Sequence, residues 1–143
     1  MDIRLVTKDD QQSWADLWKL YLEFYETSRP PEVYQATWDR IIDPNEAMYA
    51  IMAFDEGKPV GLVNFLYHKS FWDIEDRVYL NDLYVNSSCR GAGIGQTLVK
   101  SVENHAKEHN VALVYWLTSM DNVQAQILYD KIATRTSFVK YQV

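Results

Sequence analysis

Apolar and polar residues in the first third of the chain follow a helical period. Between Trp14 and Tyr25 the large apolar side chains recur at steps of three and four residues, which is the spacing of an amphipathic helix. Residues 28–31, with the sequence Ser-Arg-Pro-Pro, interrupt this spacing. A second short helix is predicted to begin near Pro31, since proline is tolerated in a first turn, and to end before Pro44.

A short apolar run occupies residues 3–6, and three further apolar segments, at residues 48–54, 60–67 and 78–85, predict strands of a sheet. The first two of these strands are joined by Asp-Glu-Gly-Lys, a sequence typical of a hairpin turn. These strands precede the polar and glycine-rich middle of the chain.

The second half of the chain alternates again between helices and strands. Ile94, Leu98, Val102 and Ala106 step by four and predict a helix that ends near residue 110. A strand, a helix and a last short strand are predicted in turn at residues 111–118, 122–132 and 138–143. Helices interleaved with a strand meander predict an α/β fold with a mixed sheet, and we expect one domain covering residues 1–143.

Composition narrows the class of protein. The chain has 48% apolar and 24% charged residues, which is ordinary for a globular protein. Its net charge of −6 argues against nonspecific binding of nucleic acid and is compatible with a cationic ligand. One cysteine, Cys89, excludes an internal disulfide, and no run approaches the length of a membrane span. We therefore expect a cytoplasmic protein with neither nucleic acid nor membrane as a partner.

Residues 89–96, with the sequence Cys-Arg-Gly-Ala-Gly-Ile-Gly-Gln, hold the strongest chemical signal. They lie between a predicted strand and a predicted helix. Glycines let the backbone approach a ligand, and the first N–H groups of a helix have no partners, so this turn suits a pyrophosphate. A glycine-rich turn with no ligand is the alternative. Two other phosphate loops do not fit, because the spacing is not that of a dinucleotide fingerprint and no Gly-Lys-Ser/Thr of a Walker A loop follows.

The segment from Arg90 to Gly95 resembles the R/Q-x-x-G-x-G/A signature of the GNAT acetyltransferases. The sequence VYLNDLYV before it and DNVQAQILYDK after it resemble the neighbouring blocks of that family, in the expected order. Within the family, YLNDLYV followed by SCRGAG is most similar to the small yeast-type histone and polyamine acetyltransferases. The resemblance implies the GNAT fold, with a mixed, mostly antiparallel central sheet that splays after its fourth strand and about four flanking helices.

The resemblance also implies acetyl-CoA as cosubstrate and assigns residues to it. The backbone of the fourth strand would pair with the pantetheine arm at Leu83, Tyr84 and Val85. The last helix would contribute Asn122, Tyr129 and Lys131, with Tyr129 facing the cofactor sulfur as the general acid. The pyrophosphate would lie on Arg90, Gly91, Ala92, Gly93, Ile94, Gly95 and Gln96.

Transfer to an amine requires a proton acceptor. A lysine-type amine has a pKa near 10.4 and must lose a proton before it attacks a thioester. Polyamine acetyltransferases of this type often carry glutamate where this chain has Asn81, and an amide cannot act as a base. Asp82 is the adjacent carboxylate, although strand alternation predicts that it faces away from Asn81. A water relay through Asp82 and a purely structural Asp82 both remain open.

The acceptor is expected to be a cationic primary amine, either polyamine-like or a lysine side chain. Residues 68–76 mix two aromatic with three acidic residues, which suits a cation. His105 and His109 lack a third ligand, so we interpret them as surface histidines and predict no metal site.

Two classes of function therefore fit the sequence. The first is an acetyltransferase acting on a small-molecule or peptide amine. The second, suggested by Asn81, is a noncatalytic acetyl-CoA-binding or interaction module. The chain departs from the family at Ile132-Ala133-Thr134, where Gly-Phe is usual, and its tail is short. Such tails can complete their sheet against a neighbouring subunit, and the resembling group associates, so we expect a homodimer.

Overall fold

The computed structural model describes residues 1–143, and its elements follow the predicted order. No helix combines the length and the apolarity needed to cross a bilayer. Short 3-10 turns at Lys8–Asp10 and Ser87–Cys89 lie between the longer elements. These are β1 (Asp2–Leu5), α1 (Gln11–Phe24), α2 (Pro31–Ile42), β2 (Met48–Asp55), β3 (Lys58–His68), β4 (Arg77–Val85), α3 (Ile94–Glu108), β5 (Val114–Tyr115) and α4 (Val123–Ile132).

The five strands form one mixed sheet in the order β1-β2-β3-β4-β5. The first three pairs are antiparallel and β5 is parallel to β4. Helices α1 and α2 cover one face, where Trp14 and Trp38 are almost fully buried. Helix α3 covers the other face through Leu98, Val99 and Val102. The predicted α/β class with a mixed, mostly antiparallel sheet is confirmed.

A glycine brings the start of α3 close to the sheet. A Cβ atom at Gly61 of β3 would lie 3.0 Å from Leu98 Cδ1 and 3.1 Å from Ile94 Cγ2. Both distances are shorter than ordinary van der Waals contact, so a larger residue would push the helix outward. The lack of a side chain at Gly61 therefore sets the position of the α3 N-terminus against β3 and β4.

A β-bulge interrupts β4 at Asn81. Asn64 pairs with Asp82 and the next residue of β3 pairs with Leu80, which leaves Asn81 without a partner. Leu80 and Leu83 both pack toward the α3 face as a result, while Asp82 faces α1 and accepts a hydrogen bond there. The expectation that Asn81 and Asp82 lie on opposite faces of the strand was wrong, since their side chains are hydrogen-bonded to each other. The extra residue in β4 interrupts the alternation and reverses the faces of the residues beyond it.

The same region separates β4 from β5. Strand β5 pairs with β4 only at Val78–Val114 and Tyr79–Tyr115, so the rest of that edge of β4 has no strand beside it. The predicted splay is confirmed. The strand predicted at residues 111–118 is reduced to two residues, because the bulge increases the local twist and β4 diverges from its neighbour.

The strand predicted at residues 138–143 was wrong. The segment forms no element, and Phe138, Val139 and Tyr141 are 86%, 75% and 94% exposed. A strand is stabilised by the hydrogen bonds of a neighbour, and no strand of this chain lies beside the segment.

His105 is buried rather than on the surface. It is 8% exposed, and its Nδ1 lies 2.6 Å from the Tyr67 hydroxyl. Burial, followed by the charge of His109, holds the pKa of His105 below its ordinary value. The exposed His109 stacks on it with ring centroids 4.4 Å apart. The two rings belong to an aromatic cluster with Tyr49 and Tyr67 on the α3 face.

Candidate active site

The loop between β4 and α3 has the backbone of an anion-binding turn. Gly91 and Gly93 have φ angles of 88° and 78°, in the left-handed region that side chains disfavour. A Cβ atom at either position would meet no atom within 4 Å, so the space above the loop is open. Gly93 is the N-cap of α3. A ligand can therefore approach the backbone here without meeting a side chain.

The first turn of α3 presents free donors to that space. The first helical hydrogen bond runs from Thr97 N to Gly93 O, which leaves the N–H groups of Ile94, Gly95 and Gln96 without helical partners. The first turn holds no acidic residue, so nothing neutralises the positive end of the helix dipole. An open groove of about 690 Å³ adjoins the loop and is lined in part by Gln96 and Ile132.

Arg90 joins the end of β4 to the end of α1. Its Nε donates to Val85 O at 3.1 Å. Its guanidinium carbon lies 5.7 Å from the Phe24 ring centroid and 5.8 Å from that of Tyr84. The two terminal nitrogens make no hydrogen bond in the chain, so their donors remain free for an anion at the loop.

The open edge of β4 starts near the bulge and runs toward this loop. Leu83, Tyr84 and Val85 pair with β3 on one side and have no strand on the other. Their side chains are packed into the apolar layers, with Leu83 and Val85 toward α3 and Tyr84 toward α1. Only the backbone of these residues is therefore available to an extended ligand. Such a ligand would lie in the gap beside β4 that begins where β5 stops pairing with it.

Helix α4 lies beside the start of α3, where a Cβ atom at Gly95 would lie 3.5 Å from Leu128 Cδ2. Asn122 caps α4, its Oδ1 accepting from Ala125 N at 3.3 Å. Asn122 and Tyr129 are separated by about two helical turns and share one face. Lys131 is exposed and lies two residues beyond Tyr129, which directs it away from that face. Asn122 and Tyr129 thus lie on one face of α4, two turns apart, and Lys131 lies on another face.

Tyr129 is half-buried beside Trp116. Burial, and to a smaller extent Tyr25, raise the pKa of the Tyr129 phenol to about 12. Its ring packs edge-on against Trp116 at 5.3 Å, and its hydroxyl makes no hydrogen bond in the chain. The phenol is therefore protonated at physiological pH, and its donor is free.

Asp82 lies on the α1 side of the same part of β4. Asn81 Nδ2 donates to Asp82 Oδ1 at 2.8 Å, so the bulge brings together the amide and the carboxylate that the sequence singled out. Burial, followed by the charge of Asp82, raises the pKa of the phenols of Tyr21 and Tyr79. The Tyr21 ring also packs against Tyr25 in a tilted arrangement with ring centroids 5.1 Å apart, and Tyr25 contributes to the raised pKa of the Tyr129 phenol.

Sequence reasoning missed the residues that hold Asp82. Trp18 Nε1 and Asn64 Nδ2 both donate to its Oδ2 atom, at 3.3 and 2.9 Å. Asn64 carried a usable signal, since an amide in the apolar strand sequence VGLVNFLY must find a buried partner. Trp18 carried none, because it fits the apolar stripe of α1.

The acidic loop at residues 68–76 is not part of this arrangement. Asp73 pairs with Arg77 at 3.2 Å, and Trp72 lies beside the same guanidinium at 5.7 Å. None of the loop's acids bonds to Asp82 or to a phenol of the site. The carboxylate nearest the open edge of β4 is therefore Asp82 rather than an acid of the loop.

Comparison of the sequence with known proteins shows its family. Residues 14–133 match the acetyltransferase (GNAT) family. The chain belongs to the GNAT acetyltransferase family. It is 38% identical to the D-amino-acid N-acetyltransferase HPA3 of Saccharomyces cerevisiae, over 98% of this chain and 88% of that protein. It is 28% identical to a thialysine N-epsilon-acetyltransferase of Caenorhabditis elegans, over 62% of this chain and 54% of that protein.

The GNAT fold is also found by comparison with solved structures. An aminoglycoside N-acetyltransferase in complex with CoA matches with a TM-score of 0.87, over 99% of this chain and 93% of the other, at 19% identity. At that identity the match supports the fold alone. The GNAT fold and the acetyltransferase class expected from the sequence are confirmed.

The glycine loop provides a charge test of ligand binding. We expect Gly93→Asp to bind CoA at least about tenfold more weakly than Gly93→Asn, because a negative side chain at a helix N-terminus repels a pyrophosphate. Asn and Asp are the side chains that best tolerate left-handed backbone, so backbone strain is common to both variants. Titration calorimetry measures the two affinities, and equal values would show that no anion binds at this loop.

Proposed function

We propose that this GNAT protein transfers an acetyl group from acetyl-CoA to a primary amine. The observation that carries the proposal is the edge of β4 beyond Tyr79, which has no strand beside it and leads to the open glycine loop at the α3 N-terminus. The free N–H groups of the loop suit a phosphate, and Tyr129 of α4 offers a free phenol. An extended thioester is the class of ligand that needs both.

The residues present fit acetyl-CoA. The loop from Arg90 to Gln96 would hold the pyrophosphate, and the backbone at Leu83–Val85 would pair with the pantetheine arm. The Asn122 side chain still has its Nδ2 donor free, because only its oxygen is used in capping α4. Acetyl-CoA supplies a thioester carbonyl that an amine can attack, and these residues orient it.

Asp82 would accept one proton from the acceptor ammonium, and Tyr129 would stabilise the leaving thiolate, which takes up the second proton that the nitrogen loses as the amide forms. Asp82 takes a proton from the acceptor amine, which is necessary because a lysine-type amine is almost fully protonated at neutral pH. Tyr129 donates a hydrogen bond to the leaving sulfur. Its raised pKa keeps the proton on the phenol, so the hydroxyl stabilises developing negative charge without ionising first.

The contact between Asn81 and Asp82 favours catalysis over a noncatalytic binding module. The module was suggested because Asn81 cannot accept a proton. The bulge presents the Asp82 carboxylate 2.8 Å from the Asn81 amide, so a carboxylate is available at this point of β4.

A small cationic amine, polyamine-like or with a lysine side chain, is the acceptor that fits Asp82 best. An anionic carboxylate among phenol rings attracts an ammonium through charge and cation–π contacts. A second candidate is the α-amine of a D-amino acid, which is favoured by the 38% identity to a D-amino-acid N-acetyltransferase. The thialysine relative acts on an amino acid as well, and at an ε-nitrogen.

A thiol-release assay with acetyl-CoA tests both the reaction and the acceptor. We expect spermidine or lysine to give a higher kcat/KM than D-alanine or D-glutamate, and kcat/KM for the cation to fall as salt rises from about 0.05 to 0.5 M because charge steering is screened. If none of the amines in the panel causes release of CoA, acetyl transfer to a primary amine is contradicted. A preference for D-alanine or D-glutamate, with no effect of salt, would contradict the cationic site and support the second candidate.

Removal of the Tyr129 hydroxyl tests its role. We expect Tyr129→Phe to lower kcat and kcat/KM together by about 10- to 100-fold, the range for a lost hydrogen bond to a charged group. The ratio of the wild-type kcat/KM to that of Tyr129→Phe should be constant from pH 7 to 9, because the pKa of the phenol is about 12 and the hydroxyl stays protonated over this range. Tyr67→Phe, which removes the hydroxyl of another partly buried tyrosine on the α3 face, is the control. Wild-type kcat in Tyr129→Phe would show that the hydroxyl is structural.

We also propose a homodimer in which the C-terminal segment of one copy pairs beside β5 of the other. Support comes from the exposed apolar side chains at Phe138, Val139 and Tyr141 and from the outer edge of β5, which has no strand beside it. Sedimentation velocity should give a dimer for the full chain and a monomer for a chain ending at Ser137. A dimer that survives this truncation would contradict the exchange.

A further inference from the structure

A line of hydrogen bonds runs beneath the α1 side of β4. Trp14 Nε1 donates to Asn64 Oδ1 at 3.0 Å, and Asn64 Nδ2 donates to Asp82 Oδ2 at 2.9 Å. Trp18 Nε1 donates to the same oxygen at 3.3 Å. Trp14 is fully buried, and Asn64 and Trp18 are each 9% exposed. Two donors within an apolar layer therefore converge on one oxygen of one carboxylate.

The direction of this line is fixed by the chemistry of the indole. An indole nitrogen can only donate, so the amide oxygen of Asn64 must face Trp14 and its NH₂ group must face Asp82. If the amide turned over, buried donors would face each other without an acceptor, which is unfavourable. Asp82 Oδ2 thus accepts hydrogen bonds from two groups that cannot accept one in return.

The two oxygens of Asp82 are consequently not equivalent. A proton on Oδ2 would point at a donor, so a proton taken up by this carboxylate must go to Oδ1. That atom accepts from the exposed side chain of Asn81, whose amide can turn and present its own oxygen instead. The titratable groups that lie against Asp82 are Tyr21 of α1 and Tyr79 of β4.

We propose that Trp14, Asn64 and Trp18 are positioning residues that make Asp82 Oδ1 the atom that takes the proton from the acceptor amine. This inference rests on the proposed function. In the step, one proton passes from the ammonium nitrogen to Oδ1, which leaves a neutral carboxylic acid and an amine with a free lone pair. The donors on Oδ2 keep the carboxylate from rotating.

The pH dependence of kcat/KM in Trp18→Phe tests this role. Loss of one donor to the ionised carboxylate favours its protonated form, so the acid limb should move to higher pH by about one unit. Trp38→Phe is the matched control, because Trp38 is 2% exposed in the same aromatic layer, 5.6 Å from Trp14, and makes no hydrogen bond to Asp82. A uniform loss of rate in Trp18→Phe, with the acid limb unmoved, would overturn the proposal.

A second measurement is independent of activity. Carbon-13 NMR of the Asp82 carboxyl group in the free protein should give a higher titration midpoint in Trp18→Phe and in Asn64→Leu than in the wild type and Trp38→Phe. Unchanged midpoints in the folded variants would also overturn the proposal. If Asn64→Leu fails to fold because Trp14 loses its acceptor, Trp18→Phe alone decides. If the protein acetylates no amine but the midpoints shift as expected, the proposed function is refuted. The inequivalence of the two Asp82 oxygens is still supported in that case.

Discussion

The loss of strand pairing beyond Tyr79 is the constraint on which the site depends. Strand β4 pairs with β3 from Arg77 to Val85 except at Asn81, but β5 pairs with it at only two positions. Backbone donors and acceptors on a sheet edge seek partners, and beyond Tyr79 this edge of β4 has no strand beside it. The gap thus follows from a local failure of pairing inside an otherwise regular sheet.

The bulge at Asn81 gives the two sides of that gap different chemistry. An extra residue in β4 directs Leu83 and Val85 toward α3, where they pack beneath the glycine loop. The same extra residue directs Asp82 toward α1. Without the bulge, Asp82 would face the apolar layer under α3, where an unpaired carboxylate is costly. One inserted residue therefore separates the side of the site beneath the glycine loop from the side that carries the carboxylate.

Aromatic packing between α1, α2 and the sheet determines where the acid can sit. Trp14 and Trp18 stack with ring centroids 5.3 Å apart, and Trp38 packs against Trp14 at 5.6 Å. This layer stabilises the fold through burial, and full burial of one large apolar side chain contributes about 1.5–3 kcal/mol. The indole nitrogens of Trp14 and Trp18 donate to Asn64 Oδ1 and Asp82 Oδ2. The same side chains thus serve both core packing and the polarity of the site.

The sequence by itself determined the order of the elements, the glycine loop and the family, because these depend on local patterns. Apolar periodicity predicted α1 and α3, and the positions of Pro31 and Pro44 predicted the bounds of α2. The segment from Arg90 to Gly95 carried the GNAT resemblance. The tertiary structure decided what depends on pairing between distant segments. The bulge at Asn81, the shortness of β5 and the unpaired segment after Ser137 require knowledge of the neighbouring strand. The partners of Asp82 lie 18 and 64 residues away in the chain, and no local pattern connects them, because only the packing of α1 on the sheet brings their nitrogen atoms to one carboxylate.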